Sequence, residues 1–543
     1  MTLLTGGERA WAISGGAAVL AAVSGFAGTA LAALFLFDGG GFAGLFDAYT
    51  LRVLRFTLWQ ALLSTLLSVL FAIPVARALA RRPRFPGRIW IVRLFAVPMG
   101  LPVLIGALGL IGIWGRQGVA NGLLQALGLS QPVSIYGLSG ILLAHVFFNM
   151  PLAARLMLGG LERIPGEYWR MAATLGMPSR AVFRFIEWPV ILGLVPGIAG
   201  LIFMLCATSF TLVLMLGGGP AATTIEVAVY QALRFDFDPG RAVALSLMQV
   251  AMTGLLLAAT AFLPAPADQG VTLAARPGRR FDGWRRASRL SDGLVLLLAV
   301  AFVGLPLLSV ALAGLRADLL ALVLMPAFRK AAFTSLTIAF CAGCLSVLMA
   351  SAIVHAQAAV VDLRRPGAGL RGFSAALSGT GSLILLVSPL ILGTGWFLAL
   401  RGLGDVARFA PALVVVINSL MALPFVLRVL APAFEVHRQR TLRLSASLAI
   451  RGWPRVRLVD GPVLAKPLLT ALSFAMALSL GDLGAVALFG SDDLMTLPYL
   501  IYSRLGSYRT NEADGFALIL GIVCLLLTIA GTAGQRKGAR DER

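Results

Sequence analysis

The sequence predicts an all-α, polytopic membrane protein of about twelve transmembrane helices, arranged as two tandem six-helix halves. Three observations predict it. Of 543 residues, 59% are hydrophobic and only 13% charged, with a mean hydropathy of +0.89, which excludes a soluble globule with a polar exterior. The apolar residues fall in about a dozen runs near the roughly 20 residues that a bilayer-spanning helix needs. Finally, a set of landmarks recurs at a fixed offset, so the second half reads as a copy of the first.

In order along the chain, spans are expected near 11–37, 53–80, 91–114, 135–158, 189–216 and 241–264 in the first half. The second half repeats them near 293–314, 332–357, 376–400, 408–432, 466–489 and 514–533. The start, MTLLTGGERAWAISGG, is weakly charged and leads into an apolar run too long for a cleaved signal peptide, so it reads as the first span. A Pro- and Arg-rich stretch from Pro264 to Asp292, including RPGRRFDGWRRASR, separates the halves. The resulting organisation is a first span and outer loop in 1–50, a first copy in 51–264 and a cytoplasmic linker in 265–292. A seventh span and outer loop follow in 293–328, then a second copy in 329–533 and a cytoplasmic tail in 534–543.

Arginine placement sets the expected orientation. Arg81, Arg82, Arg84, Arg88 and Arg93 follow the second span, and Arg163, Arg170, Arg180 and Arg184 follow the fourth. The linker and tail are also basic, whereas the opposite loops carry Glu226, Asp236, Asp238, Asp492, Asp493 and Glu512. By the positive-inside rule both termini are cytoplasmic. The formal charge of +21 is thereby accounted for by short membrane-facing loops, and no continuous basic domain remains to bind nucleic acid.

Several chemistries are excluded. The three lysines, Lys330, Lys466 and Lys537, do not follow the glycine-rich spacing of a phosphate-binding loop. Cys341 and Cys344 form a lone C-x-x-C inside an apolar run, which lacks the four ligands of a structural zinc site, so the four cysteines read as small core residues. No cluster of His, Cys or carboxylates on the scale catalysis needs is present, so the chain is not read as an enzyme, and no metal or cofactor is expected. Gly217 to Gly219, followed by Pro220, reads as a tight turn.

The repeat centres on ERIPGEYWRMAATLGMPSRAVFRFIEWP, from Glu162 to Pro189. Pro151, Gly176 and Pro189 recur as Pro424, Ala449 and Pro462, each later by 273 (for example 449 − 176). LSVLFAIPVARA from Leu67 parallels LSVLMASAIVHA from Leu345, PVLIG from Pro102 parallels PLILG from Pro389, and TIEVAVYQAL from Thr224 parallels TLPYLIYSRL from Thr496. Equal span numbers make the copies parallel, so they should enclose a pathway on a pseudo-twofold axis normal to the membrane. In the first copy Pro165 and Gly166 break the preceding helix, and Glu167 to Leu175 can form a compact helix with a small face at Ala172 and Ala173. Gly176 can end it in a left-handed conformation, and Pro178 and Ser179 start the next segment. A single such elbow fits an interfacial anchor equally well. Two in one register favour a force-transmitting element.

Gly176, Ile186 and Pro189 fit the cytoplasmic EAA-loop pattern of ATP-binding cassette importer permeases, which this chain resembles. Of the opening Glu-Ala-Ala only Ala172 matches, with Arg170 and Met171 in the other places. In the second copy Arg443, Leu444 and Ser445 replace all three, Ala449 stands for the glycine, and Val459 and Pro462 complete the frame. The resemblance covers nearly the whole chain. YGLSGILLAHVFFNMPLAARL (136–156), IFMLCATSFTLVLMLGGGPAATTIEVAVYQAL (202–233) and LGDLGAVALFG (480–490) are similar to the thiamine and thiamine pyrophosphate permeases of that family, and fused ferric iron permeases share the layout. The resemblance implies two type I importer repeats in the bacterial inner membrane, moving thiamine and its phosphates. Implied partners are two copies of a cytoplasmic ATPase subunit, docking at the elbows, and a periplasmic substrate-binding protein. A ferric iron or other small-solute permease is the alternative substrate reading. An ion-coupled secondary transporter is the alternative mechanism, and would need intramembrane ion ligands that are scarce here.

Candidate pathway residues are the few polar groups inside apolar runs, since these usually face a bundle interior. Asp482 is a carboxylate suited to a cationic substrate, or alternatively an interhelical hydrogen-bonding residue. Thr208 and Ser209 occupy nearly the matching place in the first half, and small hydroxyls also serve helix packing. His145 and Asn149 precede Pro151 as Asn418 precedes Pro424, and packing around a proline kink is their other reading.

Overall fold

In the computed structural model, the described residues are 5–37, 45–128, 132–261, 280, 282, 286–363, 366–402, 404–448, 450, 452–490 and 494–541. Among them there is no strand. Helices run as long as the sequence lacks a breaker. The first half contributes α1 (Gly6–Phe35), α2 (Ala48–Arg81), α3 (Val103–Trp114), α4 (Leu138–Glu162), α5 (Gly166–Thr174), α6 (Trp188–Ala207), α7 (Thr211–Leu216), α8 (Ile225–Arg234) and α9 (Pro239–Ala261). The second contributes α10 (Arg286–Arg316), α11 (Pro326–Val361), α12 (Ala368–Leu386), α13 (Pro389–Leu400), α14 (Ala410–Ser447), α15 (Gly461–Gly481), α16 (Gly484–Phe489), α17 (Leu497–Gly506) and α18 (Thr510–Asp541). Eleven helices among the described residues are long and apolar enough to cross a membrane, and α13 is a shorter apolar one. The all-α, polytopic expectation holds.

Helix starts and stops have local causes. At α1, Thr5 and Glu8 form a capping box: the Glu8 N–H donates to the Thr5 hydroxyl at 3.2 Å and the Thr5 N–H to the Glu8 carboxylate at 3.1 Å. The expected third and ninth spans are interrupted at Leu101–Pro102 and at Val387–Ser388. In both, the proline of the PVLIG/PLILG pair opens a new helix, because proline lacks the N–H needed to continue the old one. The GGG segment makes a tight turn, with Gly218 at φ +68° and Gly219 at φ +133°.

The described helices form two compact units. One comprises Met1–Gly44, Val229–Val250 and Asp318–Arg543; the other comprises Leu45–Ala228 and Ala251–Ala317. Each is built on an equivalent trio: α11, α14 and α15 in the first of these units, α2, α4 and α6 in the second. The faces of α2 show why these helices associate. Thr57, Gln60, Ala61, Ser64, Ser68 and Ala72 are buried, while Leu58, Trp59, Leu62, Leu66 and Leu70 point outward. Small and polar residues let backbones approach and bond in an apolar solvent, and the large apolar side chains meet lipid.

The first span of each half packs in the unit of the other copy. α1 packs against α11 and α13, in the unit of the second copy, and α10 packs against α3 and α2, in the unit of the first. Each is seated by a glycine. A Cβ on Gly395 would lie 2.3 Å from the Ala30 carbonyl oxygen, and one on Gly109 would lie 2.4 Å from that of Pro306. Trp396 secures α1 further, its indole N–H donating to the Phe26 carbonyl at 3.2 Å. The cysteines divide: Cys206 and Cys524 are buried, but Cys341 is exposed on α11 and Cys344 half-buried. The reading of all four as core residues is thus corrected, since Cys341 faces the surface that lipid covers. No group of metal-ligating residues occurs among the described residues.

Candidate functional site

The first elbow starts where Pro165 ends α4 and α5 begins at Gly166. Its end is a Schellman turn. The Met177 N–H donates to the Ala172 carbonyl at 2.9 Å and the Gly176 N–H to that of Ala173 at 3.1 Å. Gly176 sits at φ +61°, the left-handed conformation such a turn requires. It faces open space, and a methyl group added to its Cα would meet nothing within 4 Å. A four-residue helix, Ser179–Val182, leads into a π turn, Phe183–Glu187, and then into α6.

The π turn follows from Pro189. Proline can neither donate to the carbonyl four residues back nor tolerate its proximity, so the ladder before it widens by one residue. The Trp188 N–H accordingly donates to the Phe183 carbonyl, five residues back. The second elbow has the same feature at Val456–Asp460, two residues ahead of Pro462 and displaced by 273 (456 − 183). Sequence reading did not single out this turn or its acid. The signal was the pair FRFIEWP and VRLVDGP, with Glu187 and Asp460 in one register.

Those acids anchor both elbows. Glu187 has no exposed side-chain surface and receives Arg77 Nε and Arg280 Nη2, each at 2.6 Å. Arg77 also donates to the Ser179 carbonyl at 2.9 Å. Arg280, from the short described part of the linker, lies over the Trp169 ring with Cζ 4.1 Å from its centroid. It also donates to Asp282 at 2.9 Å, and Asp282 lies 3.4 Å from Arg81. Asp292 completes the cluster, accepting from Arg81 and Arg82 at 3.0 Å each. Burial works to raise the Asp282 carboxyl, but the bond from Arg280 and the charges of Arg280, Arg81 and Arg77 hold it below the usual carboxylate range. The remainder of the linker, most of 265–292, lies outside the described residues. In the second elbow Asp460 is hydrogen-bonded to His437 Nε2 at 2.7 Å and forms an ion pair with Arg455, whose Nε lies 3.3 Å away.

The expected docking residues are placed as follows. Arg170 is exposed and pairs with Glu167 at 2.8 Å, both side chains 72% exposed, a contact worth little in water. Ala172 and Ile186 are buried beneath the elbow surface, and Pro189 is exposed. A cleft of about 330 Å³ opens on this elbow, lined by Trp169, Ala172, Gly176, Pro178, Val182 and Asp282. In the second elbow α14 runs unbroken to Ser447, because RQRTLRLSAS contains no Pro or Gly, so Arg443 lies within a long helix and there is no separate counterpart of α5. Ala449 lies outside the described residues; the Ile450 N–H donates to the Ser445 carbonyl at 3.0 Å, as Met177 does to Ala172 in the first elbow, and Gly452 beyond it has φ +60°. Val459 is half-buried in the π turn and Pro462 exposed beyond it.

The candidate pathway residues gather at two helix breaks. The expected spans 189–216 and 466–489 are not continuous: α6 stops at Ala207 before α7, and α15 stops at Gly481 before α16. Thr-Ser in one and Gly-Asp in the other compete poorly for a regular ladder. Thr208 caps α6 and bonds its hydroxyl to the Met204 carbonyl at 2.9 Å, with Ser209 beside it. Asp482 stands at the matching break and accepts from the Gly484 and Ala485 N–H groups at 3.2 and 3.3 Å, capping the half-helix α16. Asn149 and Asn418 are buried behind the breaks. Asn149 donates to Cys206 Sγ at 3.3 Å, and Asn418 donates to Ser479 Oγ at 2.9 Å, the position 273 after Cys206. His145 pairs with Ser64 at 2.9 Å, as the packing reading expects.

Comparison with known proteins adds to this geometry. Residues 68–265 match the family described as "Binding-protein-dependent transport system inner membrane component". The thiamine transport system permease protein of Brucella abortus (strain 2308) is 49% identical over 533 residues, covering 97% of this chain and 96% of that one. Its counterpart in Escherichia coli (strain K12) is 44% identical over 488 residues, covering 89% and 88%. That of Haemophilus influenzae (strain ATCC 51907 / DSM 11121 / KW20 / Rd) is 36% identical over 519 residues, covering 95% and 94%.

Proposed function

Because the chain belongs to the family of thiamine transport system permease proteins, we propose that it is the membrane subunit of an ATP-driven importer carrying thiamine and its phosphates across the inner membrane. The observation that carries this reading is the pair of acid-anchored π-turn elbows in one register, Phe183–Glu187 and Val456–Asp460. An element that transmits force must not bend, and the Schellman turn, the buried acids and the clamp from the linker stiffen the first elbow.

In this reading both termini and both elbows are cytoplasmic, two ATPase subunits dock on the elbows, and a periplasmic binding protein delivers substrate. The docking residues are Arg170, Ala172, Gly176, Ile186 and Pro189 in the first copy and Arg443, Ala449, Val459 and Pro462 in the second. Exposed Arg170 is available to an acidic group on the partner, and the cleft beside Gly176 to an inserted side chain. ATP binding draws the ATPase subunits together and shifts the permease between inward- and outward-facing states. Moving such an equilibrium from 1:99 to 99:1 takes about 5.5 kcal/mol of differential binding. Substrate passes the breaks at Thr208, Ser209 and Asp482, while Asn149 and Asn418 hold the neighbouring helices behind them.

The test is radiolabelled thiamine accumulation in cells with and without this chain, followed by uptake in vesicles with the ATPase. Uptake should require the chain, stop with vanadate and persist when ion gradients are collapsed. Uptake that follows an ion gradient and ignores vanadate would overturn the proposal.

A further inference from the structure

The last repeated pair of segments lies apart from both elbows and both helix breaks. TIEVAVYQAL and TLPYLIYSRL align at an offset of 272 (496 − 224), which makes Tyr230 on α8 the equivalent of Tyr502 on α17. The two tyrosines meet. Tyr502 and Tyr499 both stand within electrostatic reach of Tyr230, which is only 3% exposed. Residues made equivalent by a twofold repeat touch only where the symmetry axis passes between them. In a fused, parallel-repeat permease the pathway follows that axis, so two large rings closed upon each other there leave no room for a solute.

The pair is also tied to the half-helix behind it. Arg234, one turn beyond Tyr230, donates to the Gly490 carbonyl at 3.1 Å. The Tyr499 ring lies so close to Gly490 that a Cβ there would come within 2.9 Å of it. Gly490 ends α16, the helix that Asp482 caps. Motion at the tyrosines is therefore linked to the break that carries the carboxylate.

We propose that Tyr230 and Tyr502 are pathway residues, closing the conduit when their side chains stand together and offering aromatic faces to an organic cation when they part. Ring faces attract cations of the thiazolium kind. The proposal rests on the thiamine permease reading.

The experiment uses the complete importer in proteoliposomes. In a chain whose Cys206, Cys341, Cys344 and Cys524 are replaced by serine or alanine, Tyr230→Cys is combined with Tyr502→Cys. Copper phenanthroline should cross-link the pair without nucleotide, cut thiamine uptake at least about tenfold, and release it again on reduction; vanadate trapping should suppress the cross-link. No cross-link, or a cross-linked protein that transports normally, overturns the barrier. For the cation face, the Tyr230→Leu/Tyr502→Leu pair should transport thiamine about tenfold less than the Tyr230→Phe/Tyr502→Phe pair at equal ATPase assembly. Equal transport by both pairs overturns that part. If the parent itself shows no ATP-driven thiamine uptake, the functional reading falls instead, and the nucleotide sensitivity of the cross-link still decides the barrier.

Discussion

Replacing Glu187 by alanine should damage the first elbow more than replacing Arg280, although the two side chains are bonded to each other. Around them Arg77, Arg81, Arg82 and Arg280 supply four positive charges, and Glu187, Asp282 and Asp292 three negative ones, a net of +1. Without Glu187 the excess becomes +2 (four minus two), and Arg280, whose side chain is 3% exposed, cannot reach water to relieve it. Removing one side of a buried pair in this way costs about 3–5 kcal/mol. Without Arg280 the charges balance at three each, Glu187 keeps Arg77 and Asp282 keeps Arg81. The loss is then the hydrogen bonds to one Glu187 oxygen and to both Asp282 oxygens, on carboxylates that each keep a neighbouring arginine, and no uncompensated charge is left buried. A gap of about 1.4 kcal/mol between the two variants is tenfold in the population of misplaced elbow. Thermal unfolding of the detergent-solubilised importer reads the stability, and ATP hydrolysed per thiamine moved in proteoliposomes reads the coupling. Glu187→Ala should melt lower and waste more ATP than Arg280→Ala, with Glu187→Gln between them. Arg280→Ala proving the more harmful, or either variant matching the parent, would refute the reasoning.

Further expectations follow from other sites. Gly176→Asn should keep transport coupled, because asparagine tolerates a left-handed backbone, whereas Gly176→Leu should uncouple ATP hydrolysis from transport at a strain of about 1–3 kcal/mol; equal coupling in both would remove the docking role of this turn. Asp482→Asn preserves a cap for α16 but not its charge, so thiamine uptake should fall while ATPase assembly stays normal, and Asp482→Ala should add a loss of thermal stability. Gly395→Ala would drive a methyl into the Ala30 carbonyl and should destabilise the α1 contact by about 1–3 kcal/mol, measured as a lower melting temperature; an unchanged melt would mean the helices part freely. Because the folded Asp282 carboxyl lies below its ordinary value of 3.8, its stabilisation is complete above that pH and lost only as pH falls through the lower, folded value. As far as this group decides it, melting temperature should therefore hold from neutral pH to about pH 5, with an acid limb that Asp282→Asn reduces.

Much of the architecture was legible because hydropathy reports membrane spans directly, and the first elbow was legible because Pro165, Gly176 and Pro178 act on the backbone at their own positions. What escaped depended on partners distant in sequence. Nothing in FRFIEWP announces that Glu187 will meet an arginine 93 residues later. Hydropathy also passed over the breaks at Thr208 and Asp482, since a window of apolar residues scores the same whether the helix within it is whole or split. In the second elbow Ala449, the expected counterpart of Gly176, lies outside the described residues, and the Ile450 N–H donates to the Ser445 carbonyl at 3.0 Å in the register of the Met177–Ala172 bond.

The seating of α1 has a consequence for how the protein is made. Its helical partners begin at Pro326, about 290 residues after it ends (326 − 35), so a ribosome adding about 5–20 residues per second reaches them some 15–60 s later. Through that interval the leading helix must wait in lipid with Gly16 and Ala30 uncovered, open to wrong neighbours or to the membrane's quality-control proteases. A gene cut at the linker would leave each product missing its own first helix's berth, and two such fragments would recover a working importer only by trading helices after insertion.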